Sequence, residues 1–222
     1  MFLSVRFYRK WTKRKLVIME EAFQGTVVGL NYEEGTTLAS DSRTTARNLV
    51  RSKKVQKIYK IQDNIAAGIS GLGGDAKSLV DNMKTESNLY RMRKDKQIPT
   101  NSLARLTSNI FHQRKMMPYI VSMILAGYDS DGPRLFFLDP AGGNLEEEKF
   151  ASAGTGSSVA YGVLEQKYEL GMEKEEALEL ATQSIQQAIE RDAATGDKIS
   201  VVNIDSDGFQ KLSDDRIKDF RQ

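Results

Sequence analysis

The chain of 222 residues contains no cysteine, one histidine, four prolines and no long apolar run. The lack of cysteine excludes disulfides, thiolate metal ligands and a cysteine nucleophile, which fits a reducing compartment and an expected cytoplasmic location. A bilayer-spanning helix needs about 20 predominantly apolar residues, so no membrane span is expected. The single histidine, His112, lies between Phe111 and Gln113 in a helical pattern, where a surface or packing role is expected. Acid–base chemistry near neutral pH therefore falls to carboxylates, lysines or an α-amino group, whose pKa is near 8.

What is present is unevenly charged. Residues 1–16 hold six Lys or Arg and no acid, and Glu20 and Glu21 follow. Taking those six bases and two acids from totals of 32 and 30 leaves 26 against 28 for residues 26–222. Basic and acidic residues are interspersed in this body, so no nucleic-acid footprint is expected. The segment MFLSVRFYRKWTKRKLVIMEEAFQ lacks the continuous apolar core of a secretory signal. It reads as a propeptide, as an extension ahead of a true start at Met19, or as a weak membrane-surface helix. Residues 1–25 are thus expected to form a leader and 26–222 a single domain, because one hydrophobic core can grow to roughly 250–300 residues.

From Thr26 the pattern is strand-like: TVVGL, a turn at Glu33 to Gly35, then TTLASDSR, a hairpin. VQKIYKI (Val55 to Ile61) and IAAGISG form a second strand pair, ending in the small-residue stretch GLGGDA. Ala76, Val80, Met83 and Tyr90 recur at near-helical spacing, as do Leu103, Leu106 and Ile110 after Pro99, and Pro118 bounds the second helix. YIVSMILAGYD, RLFFLD and EKFAS then read as strands. Val159 to Tyr168 and the stripe Leu178, Ala181, Ile185 and Ile189 read as helices, and ISVVNID as a last strand. Since each sheet must cover both apolar faces, this order predicts an α+β, four-layer αββα sandwich of two antiparallel sheets between helical layers.

Peptide hydrolysis without histidine or cysteine is feasible when a threonine is freed at a chain terminus and its own α-amino group serves as base. That design needs a cleavable leader, a hydroxyl residue opening a strand, a lysine with an orienting carboxylate, and backbone N–H donors for the oxyanion. Each part can be found here. Singly, Asp41 reads as a surface pair, Lys57 as a solvated lysine and Gly71 as a turn residue. Together and in order they read as an active-site framework.

The run GTVVGLNYEEGTTLASDSRTTARNLVRSKKVQKIYKIQDNIAAGISGLGGDA, with DPAGG, ASAGTGSSVAYGVLEQKYELGM and RDAATGD, resembles the archaeal proteasome β-subunit, an N-terminal-nucleophile hydrolase, over residues 25 to about 205. The resemblance implies that Asp41 orients a catalytic Lys57, with Arg43 as its basic neighbour, and that the Gly71 N–H faces the oxyanion. It implies that Thr155, Asp192 and Thr195 support the site, with threonines where the family has serines. Thr45 would contact the substrate backbone, and Val55 and Ile69 would line an apolar pocket. No metal or organic cofactor is implied. The implied partners are β-subunits in a seven-membered ring, a stacked β-ring, α-subunits, an ATPase regulator and unfolded polypeptide substrates.

Counting back from Gly29, the family's first threonine falls on Gly25, and Thr26 on the second position. Thr26 can be the nucleophile after cleavage of Gly25–Thr26 if a bulge or slide corrects the register, because alternate strand residues face opposite ways. Alternatively Gly25 replaces the nucleophile, giving a silent or inactivated subunit that keeps its leader, or the short alignment is misregistered. The expectation adopted is a threonine endopeptidase acting through Thr26, with the silent structural subunit as the alternative. An α-type subunit is a third reading, which the basic leader fits poorly.

Overall fold

In the computed structural model, residues 25–46 and 48–221 are described. The leader up to residue 24 lies outside them. The first sheet has the order β10-β1-β2-β11-β12, formed by β1 (Thr26–Tyr32), β2 (Gly35–Asp41), β10 (Phe150–Gly154), β11 (Ile199–Asp205) and β12 (Gly208–Lys211). The second has the order β5-β6-β7-β8-β9, formed by β5 (Ile58–Gln62), β6 (Ile65–Gly71), β7 (Val121–Asp129), β8 (Gly132–Leu138) and β9 (Asn144–Glu146). Neighbouring strands are antiparallel throughout. A small ribbon of β3 (Thr44–Ala46) and β4 (Leu49–Ser52) stands apart.

Helices α1 (Gly73–Lys94) and α2 (Thr100–Gln113) cover the second sheet; Leu79, Met83, Leu103 and Phe111 share one buried cluster with Ile65, Met123 and Leu125. Helices α3 (Ser157–Lys167) and α4 (Lys174–Arg191) cover the first sheet through Leu164, Leu178 and Ile185 against Val28, Leu30 and Val201. Between the sheets lie Val27, Leu38, Ile124, Ala126, Leu135 and Ile204. Burying each large aliphatic side chain contributes about 1.5–3 kcal/mol, so three such layers hold the four-layer αββα sandwich together. A short terminal helix, α5 (Asp214–Asp219), packs Ile217 against the α3–α4 side. No described helix is long and apolar enough to cross a membrane.

The two faces of β1 set up the site. Val27 packs between the sheets, whereas Val28, Leu30 and Tyr32 face α3 and α4. Alternation then assigns Gly25 to the inter-sheet side and Thr26 to the helix side. β1 pairs with β10 and β2 in continuous register, and no bulge interrupts it among the described residues.

Candidate active site

Gly25 enters β1 with φ of +80°, the left-handed region that glycine adopts at little cost. Its carbonyl accepts the Thr155 N–H at 3.0 Å, fixing the strand entrance to the end of β10. A Cβ at Gly25 would overlap Lys57 Nζ outright and come within 2.6 Å of Asp41 Oδ1. Position 25 is therefore the one whose side chain would meet the lysine and the carboxylate.

Lys57 lies just before β5, held by the Ile69 N–H donating to its carbonyl at 2.8 Å. Its Nζ donates to Asp41 Oδ1 at 2.5 Å, and both side chains are buried. Asp41, at the end of β2, is fully satisfied: Oδ1 also accepts the Thr26 N–H at 2.8 Å, and Oδ2 accepts the N–H groups of Arg43 at 2.9 Å and Gly196 at 3.0 Å. Burial lowers the Lys57 ammonium below its ordinary value, opposed by the Asp41 carboxylate and hydrogen bond. The result is a desolvated lysine Nζ oriented by a carboxylate, an arrangement suited to perturbing a neighbouring nucleophile.

The Thr26 hydroxyl belongs to a different set of contacts. Its Oγ1 accepts the Gly156 N–H at 3.1 Å and lies 2.7 Å from Thr195 Oγ1. Thr195 Oγ1 donates to Asp192 Oδ2 at 2.5 Å, so its only proton is committed and Thr26 is the donor in the pair. Thr155 Oγ1 donates to the same carboxylate oxygen at 2.5 Å, and the Ala194 N–H donates to Asp192 Oδ1 at 3.1 Å. A Cβ at Gly156 would collide with Thr26 Oγ1, so glycine is what allows this approach. Thr26 is wholly buried. The structure thus brings together Asp41 and Lys57 around Gly25, and Thr155, Asp192 and Thr195 around Thr26. It brings the backbone N–H of Thr26, and not the hydroxyl, to Asp41. The bulge that would turn the hydroxyl toward Lys57 is absent from β1.

Thr26→Val removes the relay hydroxyl that links Gly156 to Thr195: the Gly156 N–H loses its buried acceptor, and Thr195 Oγ1 loses its donor while keeping its bond to Asp192. Losing such partners costs about 1–3 kcal/mol, so the urea midpoint is expected to fall while m stays constant. An unchanged midpoint would show that the relay contributes nothing to stability.

The other expected residues lie on β3, ahead of β5 and on β6, where the Ile69 N–H donates to the Lys57 carbonyl at 2.8 Å and Ser70 Oγ to the Gly25 carbonyl at 3.5 Å. Gly71 closes β6 opposite Val121, and Thr45 is buried in β3. Val55 is half-buried ahead of β5, its N–H donating to the Ser42 carbonyl at 2.9 Å. Ile69 is 3% exposed and packs in the cluster beneath α1 and α2, so it presents little surface to a ligand. His112 is exposed on α2, outside the site.

Three contributors receive no role from the sequence although they fall in the runs ASAGTGSS and RDAATGD: the N–H groups of Gly156 and Gly196, which carry no side chain to read, and the Asp197 carboxylate. Asp197 pairs with Arg43 Nε at 3.0 Å, while Arg43 Nη1 donates to the Ala193 carbonyl at 3.1 Å. Arg43 thereby ties the 192–197 loop, with Asp192, Thr195 and Gly196, to the end of β2. Among the described residues, no cluster of three or more His, Asp or Glu could hold a metal.

A family model described as Proteasome subunit matches residues 22–204. A proteasome subunit beta of Methanocaldococcus vulcanius is 45% identical over 193 residues, 86% of this chain and 86% of that protein. Those of Methanospirillum hungatei and Archaeoglobus fulgidus are 40% and 38% identical, each over 203 residues and 91% of this chain, covering 97% and 95% of their own lengths.

Proposed function

We propose, for a chain that belongs to the proteasome subunit family with β-subunits as its relatives, that it builds the β-ring without supplying a nucleophile. In this reading the chain joins a seven-membered β-ring, stacked on a second and capped by α-rings, and keeps its leader. The single observation that carries it is the parity of β1. The position facing Lys57 and Asp41 is Gly25, which has no side chain, and the hydroxyl of the next residue, Thr26, donates to Thr195. Lys57 and Asp41 then form a closed ion pair that neutralises its own buried charges.

One observation favours the competing reading, a threonine endopeptidase cleaved at Gly25–Thr26. The Thr26 nitrogen lies 2.8 Å from Asp41 Oδ1, so a newly freed α-amine would start beside the Asp41–Lys57 pair. Its alcohol would still lie on the opposite strand face, and both groups are needed at one carbonyl.

The test is hydrolysis of a fluorogenic hydrophobic tripeptide by a particle whose β-ring holds this chain alone. The expected rate equals that of a particle carrying Lys57→Ala. A rate that drops at least about tenfold in Lys57→Ala would establish the endopeptidase instead.

A further inference from the structure

The end of β1 remote from Gly25 opens onto a groove of about 590 Å³, bounded by the start of β8, residues 146–148 and the α3–α4 connection. Its lining holds four glutamates, Glu33, Glu146, Glu147 and Glu148, and one cation, Arg134. Arg134 Nη1 donates to Glu146 Oε1 at 2.6 Å, which commits that pair. The side chains of Glu33, Glu147 and Glu148 have no ion pair among the described residues. Burial raises the Glu147 carboxyl above its ordinary value, a cost that a docked cation would offset.

A second observation comes from the strand beneath. Asn31 is only 7% exposed, and its Nδ2 donates to the carbonyls of Glu147 at 3.3 Å and Glu148 at 3.2 Å. Its Oδ1 is left without a partner, a buried acceptor suited to an ammonium or guanidinium donor. Apolar surface adjoins the charges, since Leu170 is 85% exposed on the rim. The groove calls for an occupant both cationic and apolar.

Residues 1–16 of this chain have that composition: six Lys or Arg and no acid, interleaved with Phe2, Leu3, Phe7 and Trp11. β1 is buried along its seven residues, about 23 Å, so the route from Gly25 to the groove runs over the surface. Residues 11–24 extended reach about 46 Å, twice that span, which leaves Lys10 the length for such a route. We propose that the chain's own basic leader docks in this acidic groove, its Lys and Arg side chains meeting Glu33, Glu147 and Glu148 with an apolar residue over Leu170. The proposal rests on the retained leader of the preceding reading.

The test is carbodiimide cross-linking of the full-length protein, as an equal mixture of isotopically light and heavy chains, read by mass spectrometry together with the intact mass. Links from Lys10, Lys13 or Lys15 to Glu33, Glu147 or Glu148 within one chain are expected. Tryptic cleavage of the leader is expected to run about tenfold faster in the Glu33→Gln/Glu147→Gln/Glu148→Gln variant. An intact leader with no such links and an unchanged tryptic rate overturns the docking alone. Links that join only light to heavy chains overturn its assignment to the chain's own leader. A chain that begins at Thr26 overturns both the docking and the silent-subunit reading.

Discussion

Gly25→Thr is expected to convert the chain into a self-processing peptidase, with tripeptide hydrolysis rising at least about a hundredfold over the parent particle. The size follows from placing a hydroxyl beside an oriented amine, since one positioned proton-transfer partner is worth roughly 10²–10⁴ in rate. The new Cβ would occupy the space now filled by Lys57 Nζ, so the tip of that long side chain must withdraw. Threonine at a φ of +80° also carries roughly 1–2 kcal/mol of backbone strain while the preceding peptide bond is intact. Scission ahead of position 25 releases that strain, which favours processing. Adding Lys57→Ala to the same chain is expected to abolish the gain. A Gly25→Thr particle that hydrolyses no faster than the parent would contradict the assignment of position 25.

Asp41→Ala is expected to destabilise the parent by about 3–5 kcal/mol, the cost of leaving a buried charge uncompensated. At roughly 2–4 °C per kcal/mol for a domain of this size, calorimetry should read a Tm lower by roughly 6–20 °C. The mechanism is specific, because Asp41 accepts from Lys57, Thr26, Arg43 and Gly196 at once. The double variant Asp41→Ala/Lys57→Met removes the orphaned ammonium and is expected to recover that part of the loss, a coupling that a double-mutant cycle measures, while the Thr26, Arg43 and Gly196 N–H groups stay without their acceptor. If the single and double variants melt together, the pair is not a stabilising unit.

The alternation of TVVGL, the helical stripe from Ala76 to Tyr90 and the stripe from Leu178 to Ile189 made the layers legible, because burial on one face repeats at fixed spacing. Elements that bury little escaped. β9 is exposed along its three residues and reads as a charged loop, and β12 is a four-residue edge strand after the last recognised one. The six-residue α5 has one buried side chain, too few for any period to emerge. The segment from Val55 read as continuous strand, yet β5 begins at Ile58. Residues 55–57 leave the ladder, and Lys57 is fixed by a single backbone bond to Ile69.

The site was half legible in the same sense. Asp41 and Lys57 are 16 positions apart in sequence, at the end of β2 and just ahead of β5, so order and spacing sufficed although the two elements belong to different sheets. Which of Gly25 and Thr26 faces them depends on a one-residue parity that motif matching cannot weigh, and here the uninterrupted register of β1 with β10 and β2 supplies it. Asp192 and Thr195 gather around Thr26 through the loop that Arg43 and Asp197 pin, a contact more than 150 positions apart in the chain.

Whether the residue facing the buried lysine offers an alcohol is decided by sequencing the amino terminus of this chain taken from an assembled particle. Leader residues are expected still to precede Gly25. A chain whose first residue is Thr26 would show that the site is processed and that the silent-subunit reading is wrong.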